Sequence, residues 1–435
     1  MQTLSGFPFI DMHFDKDGVL QGANHAKEVI ALLDQSKITD LIVMSHGWNN
    51  DEVEAKDLYE RFFKDVRPVA DSLGEGRSWG VVGVFWPSKK FGDKALPASP
   101  AAGLATEHLQ RALVEQLDTL SDLFPGRKEI DEARSLVPTL EDSEQARVNF
   151  VKSIRGLLRQ SNGDREDSPP QFFLTSGDKL IDRLGKPLPA SIPKTVRDGG
   201  AARFAQSSGH ATAILPSLTG VLGGALNFLN YATYYEMKER AATVGVRGLA
   251  PQMRDVRNAR PAVGLHLVGH SFGARLVTAT VAGAVGGESL PVDTLVLLQG
   301  AFSHYGFSDD YDDKGSAGYF RRVVSDHLVR GPLVVSCTQN DQAVGRLYPL
   351  ASLVAGQVAS GLGDPNSPYG GLGANGAQKS DARSEPIHEQ GTPYEWKAGA
   401  IHNLNADACI MNHSDICKSQ VAFALISGAC HRPLS

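Results

Sequence analysis

Five short segments of the chain are apolar at nearly every position: DLIVMSHG (40–47), WGVVGVFWP (79–87), VGLHLVGH (263–270), VDTLVLLQG (292–300) and PLVVSCTQN (332–340). Continuous rather than alternating hydrophobicity marks strands covered on both faces, as in a parallel sheet between helices. Helical stretches separate them: DEVEAKDLYERFFKDVRPVADSL (51–73) after the first, ARLVTATVAGAV (274–285) after the third, and QAVGRLYPLASLVAG (342–356) after the fifth. This alternation predicts an α/β fold whose central sheet is mostly parallel and flanked by helices, joined by right-handed crossovers. An earlier pair, FPFIDMHF (7–14) and GVLQG (18–22), is expected to form an antiparallel edge.

The alternation fails between residue 88 and about residue 211. A Pro/Ala/Gly-rich segment, LPASPAAGLA (96–105), leads into charged amphipathic helices over 106–160 and then a polar loop region with prolines. The expected organisation is a core of residues 1–87 and 211–435, carrying a helical and loop insertion, 88–210, as a cap or lid. Residues 303–320 and 360–386 are expected to be long loops of the kind that cover sites. The uncharged run 211–235 raises the question of a membrane span, but Pro216, Asn227, Asn230 and several glycines interrupt it, so a buried or lid helix is expected.

Bulk properties narrow the partners. The 435 residues are 42% hydrophobic, enough to bury a sizeable core. A net charge of −6 leaves no basic footprint for nucleic acid or an anionic membrane surface. The four cysteines (337, 409, 417, 430) lack CxxC spacing and read as reduced thiols, with no metal expected. The N-terminal MQTLSGFPFIDMHFDKDG has neither the basic start nor the apolar core of a signal peptide, so the cytoplasm is the expected compartment, although signal-free export leaves no such mark.

The chemistry concentrates at strand ends. In VGHSFGARL, Gly269-x-Ser271-x-Gly273 sits where a strand gives way to a helix, the context of a nucleophile elbow. That turn is crowded, so the residues two before and two after the serine must be small, and the helix that follows aims its N-terminal amides at the serine oxygen. A serine needs a base and an orienting carboxylate, expected in the chain order Ser, acid, His. Asp341, directly after PLVVSCTQN, is the first choice of acid, with Asp407 and Asp326 in reserve. His413, in MNHSDIC after the strand AIHNLNADACI, is the best base. His402 falls in that strand, His388 in a loop and His431 in the tail, so each reads as structural or solvated. Asp415 is expected to cap the last helix. In SHGWNND (45–51), Gly47 permits close approach, which makes the amide of Trp48 the expected partner of the Phe272 amide in an oxyanion hole. His46, Asn49 and Asn50 support the turn, and the NND run also suits a helix N-cap.

HGWNN after a strand, GHSFG at an elbow, an Asp after a later strand and NHSDI near the C-terminus together resemble the α/β-hydrolase superfamily, most of all its bacterial HGWNN-type serine hydrolases. The resemblance implies Ser271 as nucleophile, Asp341 as acid, His413 as base, Trp48 and Phe272 as oxyanion donors, and no cofactor. It also implies a small-molecule or lipid ester as substrate. The largest insertion comes earlier than the cap of many relatives, which makes cap-based substrate guesses unsafe. The leading expectation is a serine esterase working through an acyl-enzyme. Beside it stand a lipase or phospholipase acting at interfaces, an amidase or C–C hydrolase with the same triad, and a non-catalytic binding module.

Overall fold

The computed structural model describes residues 2–22, 25–88, 106–124, 127–158, 164–186, 219–341, 343, 351, 354–356 and 367–432. Among these, ten strands form one sheet: β1 (Thr3–Leu4), β2 (Phe7–Phe14), β3 (Leu20–Gln21), β4 (Asp40–Ser45), β5 (Trp79–Phe85), β6 (Gly264–His270), β7 (Thr294–Leu298), β8 (Leu333–Cys337), β9 (Arg383–Pro386) and β10 (Ile401–Asn405). Their order is β1-β2-β5-β4-β6-β7-β8-β10-β9, with β3 on β2. Pairing is parallel from β2 to β9 and antiparallel only where β1 and β3 meet β2. The five apolar segments are β4 to β8, buried at every position. The expected N-terminal antiparallel pair is present, but β2 also runs parallel to β5 and so belongs to the main sheet.

The helices are α1 (His25–Gln35), α2 (Glu52–Leu73), α3 (Thr106–Leu123), α4 (Lys128–Leu136), α5 (Glu144–Leu157), α6 (Gln171–Leu174), α7 (Gly177–Leu184), α8 (Gly220–Thr243), α9 (Ala250–Ala259), α10 (Phe272–Ala282), α11 (Arg321–Ser325), α12 (Leu372–Asn375) and α13 (Ser419–Cys430). Successive strand residues point to opposite faces, and the core divides accordingly. Ile42, Met44, Val81, Val268 and Val296 pack on α2 and α13. Leu41, Val43, Val82, Leu267 and Leu297 pack on α1, α8 and α10. The helices α3 to α7 share this second core through Leu117, Phe150, Phe172 and Ile181, so they extend it outward.

Every residue of α8 from Leu222 to Tyr235 is buried. A helix apolar on all sides belongs inside a protein or a membrane; here the fold covers it, and among the described residues no helix is long and apolar enough to cross a membrane. Two expectations need correction. The polar region after residue 160 contains α6 and α7, because Phe172, Leu180, Ile181 and Leu184 supply a buried stripe. The stretch 360–386 contains α12 and β9 rather than loop alone. The segment 96–105, residues 187–218 and most of the helix expected over 342–356 lie outside the described residues.

Candidate active site

Parallel strands end on one edge of the sheet, and the loops after β4, β6, β8 and β10 gather there. Ser271 follows β6 directly and leads into α10, with φ at +58° and ψ at −123°. A side chain in this region is strained, and it persists only where the surroundings over-determine it. Three bonds do so: the Ser271 amide donates to the Leu298 carbonyl at 3.0 Å, and its carbonyl accepts from Ala274 at 3.0 Å and Ala301 at 3.1 Å. The demand for small flanks is literal. A Cβ on Gly269 would stand 2.3 Å from the Gly273 carbonyl oxygen, and one on Gly273 would stand 2.2 Å from that of Ser45.

His413 Nε2 lies 2.8 Å from Ser271 Oγ, and His413 Nδ1 lies 2.8 Å from Asp341 Oδ2. A carboxylate only accepts, so Nδ1 carries the proton and Nε2 is free to receive the serine hydrogen. All three residues are buried. Asp341 sits in a turn held from several sides. Its amide donates to Thr338, Gln299 Nε2 donates to its Oδ2 at 3.4 Å, and Asn340 Nδ2 donates to the Asp407 and Ile410 carbonyls.

The loop after β4 is fixed with comparable density. His46 Nδ1 donates to the Gly47 carbonyl at 2.9 Å, leaving Nε2 to accept from the Trp86 amide at 3.4 Å, and its ring stacks on Trp86. Tyr59 Oη accepts the His46 amide at 2.9 Å and donates to the Val84 carbonyl at 2.6 Å. Burial pushes the His46 imidazole down to about 4, so it is neutral at pH 7. Asn50 Nδ2 donates to the Gly47 and Trp48 carbonyls, while Asn49 adopts φ of +66° and its amide donates to Ser88. Asp51 caps α2 in a reciprocal box with Glu54. The loop approaches Ser271 closely: a Cβ on Gly47 would lie 2.5 Å from Ser271 Cβ and 3.1 Å from its Oγ. Phe272 opens α10, so its amide has no acceptor within the helix. Among the described residues neither it nor the Trp48 amide has a partner. Two such N–H groups at a helix start and a glycine turn suit a developing oxyanion.

The remaining sequence candidates have other surroundings. Asp407 accepts from Thr338 Oγ1 and the Gln339 amide, bracing the turn that carries Asp341. Asp326 is exposed at the end of α11 and pairs with Arg322. His402 lies in β10 beside Glu385, His388 stacks on Tyr394, and His431 ends α13. Asp415 does not cap the last helix: Lys418 holds that position, and Asp415 accepts from the Met411 amide and pairs with Lys418. Trp48 touches Phe272 at 5.9 Å between ring centroids, and Phe272 touches Tyr234 at 5.1 Å. Sequence reasoning missed Tyr59, Ser88 and Gln299. Only Gln299 left a signal, a lone amide closing an apolar strand. Among the described residues no cluster of His, Cys, Asp and Glu could hold a metal ion, and the four cysteines are unpaired. Compared with known proteins, the chain matches no family model, no curated protein and no solved structure.

Proposed function

We propose that this chain is a serine hydrolase of the α/β-hydrolase type that cleaves carboxylic esters through an acyl-enzyme. The observation carrying this reading is the continuous hydrogen-bonded line Ser271–His413–Asp341, 2.8 Å at both links, on a serine held at positive φ. Ser271 Oγ attacks the ester carbonyl while His413 Nε2 takes its proton, and the Asp341 carboxylate stabilises the imidazolium that forms. The amides of Trp48 and Phe272 receive the oxyanion. Collapse of the intermediate expels the alkoxide, which takes the proton back from Nε2. Water, deprotonated by His413, then attacks the acyl-serine and releases the acid.

The half-buried Trp48 ring beside the elbow, packed on Phe272, favours an apolar group on the substrate. Dissolved esters are preferred over lipid interfaces because α8, the segment best suited to an apolar lid, is buried from Leu222 to Tyr235. Hydrolysis of a p-nitrophenyl ester series from acetate to palmitate, with a p-nitroanilide alongside, tests the reading. Saturable ester cleavage should be lost in Ser271→Ala, and a fluorophosphonate probe should label wild type but not this variant. Cleavage of the anilide alone would move the substrate class to amides. An unlabelled, inactive wild type would sink the hydrolase reading and leave a binding module.

A further inference from the structure

His270, the last residue of β6, stands immediately before the nucleophile and is buried. Its Nε2 lies 2.9 Å from the carbonyl oxygen of His413. A carbonyl only accepts, so Nε2 carries the proton and Nδ1 keeps a lone pair, and among the described residues that buried Nδ1 has no hydrogen-bond partner. The two imidazole rings lie with centroids 5.0 Å apart and planes tilted by 40°.

The loop that bears His413 lies between β10 and α13; Ile410 and Ile416 anchor it in the core, and among the described residues its other backbone hydrogen bonds run within the loop, to the end of β8 or to the acid turn. The Met411 amide donates to Asp415, the Ser414 amide to Asn412, the Asp415 amide to the Asn412 carbonyl, and Asn340 Nδ2 to the Ile410 carbonyl. The His270 bond joins the backbone of that loop to the strand carrying Ser271.

Resting on the serine-hydrolase reading above, we infer that His270 is a positioning residue, holding the backbone of the base at its working distance from the nucleophile while contributing no charge of its own. Neutrality matters because His413 becomes cationic when it takes the serine proton, and a second cation 5.0 Å away would oppose that step. The groups facing His270 are His413 and Asp341 in the site and His46 beyond β4. Burial, and next the nearness of His413, push the His270 imidazole down to about 3, so it stays neutral wherever the base works.

Two substitutions separate donation from packing. His270→Leu fills the space without a donor, whereas His270→Gln places an amide N–H about as far out as Nε2. A base displaced by a fraction of an ångström lowers the rate with little effect on binding, so His270→Leu should lose ~10- to 100-fold in kcat on the best p-nitrophenyl ester with KM nearly unchanged. His270→Gln should recover most of that loss. In wild type and His270→Gln, the far-downfield proton resonance of the His413–Asp341 bond, assigned by its disappearance in Asp341→Asn, should persist at one shift. In His270→Leu it should move or broaden. Wild-type kcat and an unmoved resonance in His270→Leu would overturn the inference, as would equal losses in both variants. The resonance needs no substrate, so it reports on the base even if no ester is turned over, and Ser271→Ala run in parallel shows separately whether the hydrolase reading stands.

Discussion

Ser271 holds a backbone conformation that costs on the order of 1–3 kcal/mol for a residue with a side chain, and the sheet and helix around it hold it there. The strain projects Oγ beyond the strand end, toward His413 rather than into the core. Such a turn tolerates no added atoms. Gly273→Ala puts a methyl group 2.2 Å from the Ser45 carbonyl oxygen, a backbone atom that cannot swing aside. It should destabilise by about 3 kcal/mol or unfold the protein, read as a lowered urea midpoint. Asp341→Asn keeps size and shape but turns an acceptor-only group into one that can present N–H to His413 Nδ1, favouring the wrong tautomer. It should lower kcat by ~10⁴ with an almost unchanged urea midpoint. Retained activity would mean that another carboxylate orients the base.

The loop between β4 and α2 behaves as a unit: His46, Tyr59, Trp86, Ser88 and Asn50 fix its start, and the Asp51–Glu54 box fixes its end. Asp51→Ala removes one side of the box and should cost about 1 kcal/mol. Because the Trp48 amide, the proposed oxyanion donor, lies three residues upstream, kcat should also fall, and a stability loss with unchanged kcat would show that the cap and the Trp48 turn are uncoupled. Legibility differs between such elements for a physical reason. Burial on both faces writes itself into consecutive residues, so β4 to β8 could be read directly, and the steric demand of the elbow leaves Gly269 and Gly273 as a local trace. That His413 and Asp341 would come together beside Ser271 could be anticipated, because chain order and strand ends restrict where the histidine and carboxylate of such a set can stand. Polar partners distant in sequence leave no such trace. Nothing near Tyr59 announces its bond to His46, and the middle positions of GxSxG are sterically free, so His270 stood out only once β10 was placed. The cap misassigned to Asp415 fails by a few residues, because the loop turns on Asn412 and Asp415 before α13 begins.

The whole molecule carries two opposed responses to pH. Burial pushes His46 down to about 4, and His270 and His304 to about 3, so the folded state binds fewer protons than the unfolded chain once the pH falls below the ordinary histidine value. Stability drops on that acid side. The other response comes from the seam where the chain before α6 meets α8 and α10. There Arg275 and Lys238, both fully buried, pair with Asp164 and Asp167 at 2.5–3.5 Å. Burial opposes ionisation of Asp164, yet Arg275 and Lys238 hold its carboxyl below the usual range. Glu166 is the odd member. Burial, and next the negative charge of Asp164, raise it to about 8, while its Oε1 accepts the Tyr319 amide at 2.6 Å. A carboxyl raised in the folded state is fully stabilising below its unfolded value of 4.5, and that stability is lost as pH rises toward 8. Glu166→Gln stays neutral and keeps the oxygen that accepts from Tyr319. The melting temperature of this variant relative to wild type should therefore climb steadily from pH 5 to pH 8 and then level off. A difference constant across that range would mean that Glu166 is ionised throughout, with Arg275 and Lys238 carrying its charge as well as those of the two aspartates.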